Sequence, residues 1–358
     1  MTRPPLLVHA LAAGIVAGAF ALARWAPDLY AALLQEDRTP EWWTVGLFGA
    51  AGLARIRAAV RRRRAFDLLV ALFCLFVAGE EMSWGQRLLG YTPPDVFLAH
   101  NTQQEATLHN FADVFGQPKW MLVLALAGYG LLLPLLARVA PLRRLLERVG
   151  ATAPAWGLAP WFAAAVVLLA WYPLTFTGEW VELLAGVLFL ASSSPSSVAL
   201  AAAAGATLAA SVIMAELGAR RRPAPADLAC ARAEAESLLR DVLEGGVRPE
   251  ALEDIGSVHK RLRTATRDGY ADAERLATYG RVACPSVKPD ALAARRRYMI
   301  DPWGTAYWIR IGREDDEGAR RVVVYSFGPD RRRDSSPVRA AGDDVAAEGV
   351  LEAAEAVP

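Results

Sequence analysis

Blocks of apolar residues, each about as long as a helix that crosses a bilayer, recur from residue 6 to residue 217. A hydrocarbon layer about 30 Å thick takes roughly 20 apolar residues at about 1.5 Å per residue. The blocks cover residues 6–25, 42–60, 65–82, 120–137, 156–176 and 198–217. Over the whole 358-residue chain 54% of residues are hydrophobic, and mean hydropathy is +0.22. These residues are gathered into long runs instead of amphipathic stripes, the pattern of a polytopic membrane protein with a soluble part. A secretory signal would resemble the first block, but no A-x-A-like cleavage site is followed by an obviously soluble chain, and the block reads as a retained first helix. Block 42–60 carries Arg55 and Arg57, whose stems could snorkel to the interface from near its end. Residues 181–191 are apolar but short, and Ser-Ser-Ser-Pro-Ser-Ser at 192–197 is a turn or kink signal. With its flanks this block makes a further crossing and a total of seven helices; as a re-entrant or interfacial helix it leaves six.

Loop charge sets the expected orientation, because short loops rich in Lys and Arg stay in the cytoplasm. Arg55, Arg57 and Arg61 to Arg64 lie between the second and third blocks, and Arg138, Arg143, Arg144 and Arg148 between the fourth and fifth. Both loops are placed inside, which leaves residues 80–110 and 177–182 outside. A net charge of +1, with the basic residues clumped at helix ends, excludes nucleic acid as a partner.

The outward segments are unusually polar for the flanks of membrane helices. Glu80, Glu81, Asn101, Gln103, Glu105, His109 and Asn110 fall in one run, and Glu179 and Glu182 in the other. Ionisable groups at a bilayer boundary are costly and mark candidate sites. On a helix Asn101, Glu105 and His109 would share one stripe, and Glu179 and Glu182 would share a face. Glu80 and Glu81 lie about 100° apart on a helix, so one should point into the bundle and the other should cap, pair or face solvent. Glu80, Glu81, Glu105, His109, Glu179 and Glu182 are the candidate ligands of a divalent metal such as Zn, Mn or Fe. Glu105, His109 and Glu81 are the candidate catalytic groups, a spare Glu serving as general base to metal-bound water. The competing reading is a hydrogen-bond network between helices, with Arg87 available to Glu80 or Glu81.

Two resemblances follow from motifs. Glu80-Glu81-x-Ser83-Trp84-Gly85-Gln86-Arg87, then Asn101-x-Gln103-x-Glu105-x-x-Leu108-His109-Asn110, then Glu179-x-x-Glu182 resemble a family of uncharacterised bacterial multi-pass membrane proteins over residues 1–220. That resemblance implies the inner membrane and carries no activity. Asp301-Pro302-Trp303-Gly304-x-x-Tyr307, then Val324-Tyr325-Ser326-x-Gly328-x-Asp330 and Gly342-Asp343-Asp344, resemble the C-terminal module of the type II secretion major pseudopilin. The second resemblance implies a stem helix, a small sheet, a place outside the cytoplasm, envelope or secretion-system partners, and calcium in the loop after the last strand. Asp330, Asp334, Asp343 and Asp344 would supply hard oxygen ligands there, although the Arg331-Arg332-Arg333 run opposes a cation electrostatically.

Periodicity supports the stem on its own. Leu228, Ala231, Ala235, Leu238, Leu239 and Val242 recur at helical spacing over residues 226–244. Residues 307–311 and 321–327 read as two strands joined by the acidic turn 312–318. Cys74 reads as membrane packing, and a Cys230 to Cys284 bridge is sensible if that region is outside the cytoplasm. The arginines Arg220 to Arg222 after the last block favour the cytoplasm, so six spans satisfy the charges and seven satisfy the resemblance.

The expected fold class is mainly α: a polytopic transmembrane bundle of six or seven helices at 1–222, a helical stem and linker at 223–297, a pseudopilin-like module at 298–348 and a disordered tail at 349–358. Two functions fit it: an envelope interaction or assembly protein held in the lipid bilayer, or a membrane-embedded metal-dependent hydrolase or transferase acting on a lipid-linked substrate at the outer face. A transporter is less favoured, because no inverted repeat is seen and Asp67 lies near the end of its block.

Overall fold

A computed structural model describes residues 4–34, 39–89, 91, 93–101, 105–108, 119–193, 205, 209, 225–241, 243–244, 284, 287, 300–314, 319–329, 331, 342 and 344–351. The chain is mainly helical with one small antiparallel sheet. It divides into two compact units, residues 1–84 with 114–215, and residues 85–113 with 216–358.

The first unit is built on the apolar blocks. Helix α1 is Leu6–Trp25, α2 Pro27–Leu33, α3 Thr39–Arg62 and α4 Ala65–Glu81. Arg63 at φ 51° turns α3 into α4, and the two pack along each other. In the second unit, short helices α5 (Gln86–Leu89) and α6 (Asp95–His100) follow. Back in the first, α7 (Lys119–Ala127) runs through a π turn at Gly128–Leu132 into α8 (Leu133–Leu136). Helix α9 (Ala140–Arg148) then leaves at 118°. Helix α10 is Ala159–Trp171 and α11 Thr177–Ser193. The short block 181–191 thus lies inside α11, which packs on α1, α3 and α10 and is buried along most of its length. An interfacial helix would leave one flank open to solvent; this one has neighbours around most of its circumference.

An aromatic layer fills the middle of the unit. Phe189 of α11 stacks on Tyr129 at 4.9 Å and 9°, and meets Phe48, Phe73 and Phe162 at 5.5, 5.2 and 6.1 Å. Gly130 is required by this packing, since a Cβ there would lie 2.1 Å from the Phe162 ring.

By length and composition, α1 alone among the described helices is apolar enough to cross a membrane: 20 residues with a hydropathy of 2.2, near the N-terminus, where a signal sequence has the same character. Residues 120–148 make a second if the bent pair is one span. Most of block 198–217 lies outside the described residues, as does residues 250–279 of the linker.

The second unit holds α12 (Pro225–Asp241) packed against β2 and β3 of a three-stranded meander, β1 Trp308–Glu314, β2 Arg320–Ser326 and β3 Val345–Leu351. Both strand pairs are antiparallel, with Tyr325 opposite Trp308 on one side and Ala346 on the other. Strand β3 corrects the expected tail, which begins at residue 349: the strand runs on to Leu351. Its sequence, Val-Ala-Ala-Glu-Gly-Val-Leu, has little β propensity, and pairing with β2 decides its state. Gly349 allows close approach to the helix side, since a Cβ there would meet Leu243 Cδ1 at 2.8 Å.

Candidate functional site

The end of α4 explains the Glu-Glu-x-Ser-Trp-Gly motif locally. Ser83 and Trp84 adopt left-handed φ of 47° and 49°, followed by Gly85 at 80°, a conformation that costs energy in non-glycine residues and collects at functional sites. The reversal lays the Trp84 indole over the last turn of α4. It rests on Gly79, where a Cβ would lie 3.0 Å from the ring, and on Phe76 at 6.1 Å. Indole Nε1 donates to Glu80 Oε1 at 2.7 Å, and Glu80 is buried.

Glu81 turns the other way. Its carboxyl shares a hydrogen bond with Glu182, and Glu179 and Glu80 lie within electrostatic reach. Two carboxyl groups that bond each other hold a proton between them or need a cation to bring them together. Glu179 and Glu182 sit in the first two turns of α11, where the helix dipole favours anions; Glu80 and Glu81 end α4, where it opposes them. Local physics therefore accounts for half of this cluster and resists the other half.

At the opposite end of α4 and α11 lies a site that the sequence reading missed. Arg55, expected to snorkel, points into the bundle and is buried. Its Nη1 donates to Asp67 Oδ1 at 2.6 Å and Thr152 Oγ1 at 3.0 Å. Its Nη2 donates to Tyr129 Oη at 2.5 Å and the Ser192 carbonyl at 2.7 Å, and its Nε to Ser193 Oγ at 3.0 Å. Thr152 also donates to Asp67 Oδ1 at 3.1 Å, and Tyr129 and Ser192 share a bond of 2.9 Å. The guanidinium fork is used in full. Asp67 Oδ2, fully buried, has no hydrogen-bond partner among the described residues. The signal that could have found this pair is an opposite charge on each of two apolar helices joined by a tight turn, Arg55 before it and Asp67 after it.

The remaining predicted groups belong to the second unit or lie outside the described residues. Asn101 ends α6 with extended ψ of 131°, and residues 105–108 are not helical, which corrects the expected stripe of Asn101, Glu105 and His109. Asn101 Nδ2 donates to the carbonyl and hydroxyl of Thr107 at 2.6 and 3.0 Å, its Oδ1 accepts from the Glu105 N–H at 3.3 Å, and Gln86 Oε1 accepts from the Ala106 N–H at 2.8 Å. These side chains consume the backbone groups that a helix would have used. Glu105 itself is buried. Gln103, His109, Asn110 and the Arg87 side chain lie outside the described residues.

Of the calcium set, Asp330, Asp334 and Asp343 lie outside the described residues, and Asp344 precedes β3. Arg331 is drawn to the Asp-Pro-Trp-Gly turn, its Nε donating to the Trp303 carbonyl at 2.7 Å. That turn is organised by Asp301. Oδ1 accepts from the Trp303 and Thr305 N–H groups at 3.0 and 2.8 Å, and Oδ2 from the Thr305 and Ser326 hydroxyls at 2.5 and 2.6 Å. Ser326 Oγ in turn accepts from the Gly328 N–H at 2.9 Å. Burial raises the Asp301 carboxyl above its ordinary value, against the pull of these four bonds. Asp301, Trp303, Ser326 and Gly328 of the pseudopilin-like motif thus take part, with Thr305, in a structural clasp between turn and strand.

Cys230 and Cys284 are joined as a disulfide with Cα atoms 5.5 Å apart. Glu234, one turn after Cys230, is buried beside them, and the ligand atoms of Cys230, Glu234 and Cys284 lie within 4.8 Å of one another. That group could hold a metal ion. Compared with protein-family models, with curated proteins and with solved structures, the chain matches none.

Proposed function

We propose that the chain is a multi-pass protein of the bacterial inner membrane whose helical bundle anchors an extracytoplasmic, pseudopilin-like α+β module with an envelope interaction or assembly role. The inverted polarity of the first unit carries this reading. Leu69 and Leu72 of α4 are 63% and 57% exposed and Leu124 of α7 is 70% exposed, while Arg55 and Asp67 are turned inward. A bundle in water would reverse that choice, because exposed apolar surface of this extent marks a membrane or partner face. Gly150 lies against Arg64, so the two arginine-rich loops meet at one end of the unit, as one cytoplasmic face requires. Helix α9, with Arg143, Arg144 and Arg148 beside its leucines, suits the headgroup layer at that end. In a bilayer the disulfide-linked module then belongs on the oxidising side.

The test is topological. Val350→Cys, exposed on β3, should react with a membrane-impermeant maleimide in intact spheroplasts. Labelling only after lysis places the module in the cytoplasm and sinks the seven-span arrangement.

The Glu81–Glu182 hydrogen bond favours a second reading, in which Glu80, Glu81, Glu179 and Glu182 form a divalent-metal or proton site at the outer face, serving hydrolysis or transfer on a lipid-linked substrate. Metal analysis of the oxidised protein, wild type against Glu81→Gln and Glu182→Gln, decides it. Stoichiometric metal lost in both variants supports the enzyme, and its absence from all samples removes a metal-dependent one.

A further inference from the structure

We propose that Cys230, Glu234 and Cys284 form a redox-switched zinc site: a disulfide staple when oxidised, and a two-thiolate, one-carboxylate zinc shell when reduced. Cys230 and Glu234 are i,i+4 on α12 and present their ligand atoms from one face. Cys284 comes from a segment 54 residues away, so ligation ties the stem helix to distant chain, as the disulfide does.

One edge of the group already has the length of a shell edge, and opening the disulfide frees the second sulfur to complete it. Glu234 Oε1 stands 3.6 Å from Cys284 Sγ. A tetrahedral zinc with Zn–S of about 2.3 Å and Zn–O of about 2.1 Å has an S···O edge of about 3.6 Å. A disulfide sulfur has neither a proton to donate nor charge to balance a carboxylate, whereas a thiol offers the first and a thiolate–zinc centre the second. Reduction and metal binding therefore offer the Glu234 carboxylate a cation that the disulfide does not.

Tyr307 supplies the outer support that metal ligands use. Its hydroxyl contacts both the Ala231 carbonyl, at 3.1 Å, and Glu234 Oε2, at 2.8 Å. The bond to Oε2 leaves Oε1 aimed at the sulfurs. All four side chains are buried, so the site is dry, and soft sulfur with one oxygen selects zinc over calcium or magnesium.

The switch balances as follows. A dithiol reductant transfers two electrons and two protons to the Cys230–Cys284 bond, giving two thiols and leaving its own disulfide. Zn²⁺ then displaces both thiol protons and takes the two thiolates and Glu234 as its protein ligands. Reoxidation by a disulfide oxidant releases the ion.

Full-length protein in detergent is reduced, desalted without oxygen and titrated with Zn²⁺, or with Co²⁺, whose thiolate charge-transfer band reports sulfur ligation and ignores the all-oxygen cluster of the first unit. One ion per chain is expected after reduction, and no thiolate band before it. Glu234→Gln, which keeps the disulfide, should weaken binding at least tenfold. Tyr307→Phe should weaken it about 10-fold to 100-fold, with the cobalt spectrum retained. Cys230→Ser should abolish the band. Reduced wild type without a thiolate band, or Glu234→Gln binding as wild type does, overturns the proposal.

Discussion

Helices α4 and α11 carry a polar cluster at each end, and the two are opposite in design. At one end Arg55 meets Asp67, charges cancel, and each of the five guanidinium hydrogens has an acceptor. At the other, Glu81 bonds Glu182 with two further carboxylates nearby, and two of the four sit where the helix dipole is unfavourable. Both clusters are polar groups in a unit with an apolar exterior, yet only the first is explained by what it stabilises. Gathered like charges lower stability unless a proton or cation offsets them; that is the mark of a group kept for something other than folding. Buried polarity by itself is therefore not evidence of function. The sign of the charges separates the two cases.

Substitutions should break the two ends in opposite directions. Arg55→Met strands the buried Asp67 carboxylate and should destabilise the fold by about 3–5 kcal/mol, measured by denaturation in detergent. Arg55→Met combined with Asp67→Leu should recover much of that loss; a double variant as weak as the single would show that the hydroxyl partners, not the ion pair, hold this end. A comparable contrast exists in the second unit, where Asp301→Ala leaves two N–H groups and two hydroxyls without their acceptor. At about 1–3 kcal/mol for each buried group left unsatisfied, with partial relaxation, the module should lose about 2–5 kcal/mol and become sensitive to limited proteolysis.

Gly130→Ala drives a methyl into the Phe162 ring between the two polar ends and should cost about 1–3 kcal/mol, read from the same melts. Glu182→Gln removes one like charge, and stability should rise by about 0.5–2 kcal/mol while any metal binding at this end is lost. A fall in stability instead would make the acidic end a structural network like its counterpart.

The smallest effect is a pH slope. Burial holds the Asp301 carboxyl above the ordinary 3.8, so the folded module binds this proton more tightly than the unfolded chain. Its contribution is fully present below pH 3.8 and is lost as pH rises through the folded value. Asp301→Asn should remove that part of the slope from urea melts taken across acid pH.

Much of the helical unit can be read from the chain because apolar blocks are a local property: α1, α4 and α10 fall on or within blocks marked by hydropathy alone, and α3 extends past both ends of its block. The stem helix shows itself for the same reason, through spacing. Strand β3 does not, since alanine and glycine have no pattern until β2 and α12 give them a surface. The polar run is contiguous in sequence yet divides at Trp84 between two units, and no spacing rule marks that break. Loop charge assigns Glu81 and Glu182 to one side but not to each other, and the clasp role of Asp301 is not legible because the same Asp-Pro-Trp-Gly signature serves a ligand loop or a turn equally well.

Composition and period thus determined the helical class, the approximate place of the apolar helices and which ends carry charge, all consequences of free energies that act along a few turns of chain. Tertiary structure alone decided that Arg55 faces inward to Asp67, that Glu81 meets Glu182, and that Cys230, Glu234 and Cys284 converge. Each of those pairings joins residues distant in sequence, and the energy of a buried charge or thiol depends on partners that only the folded chain can bring to it.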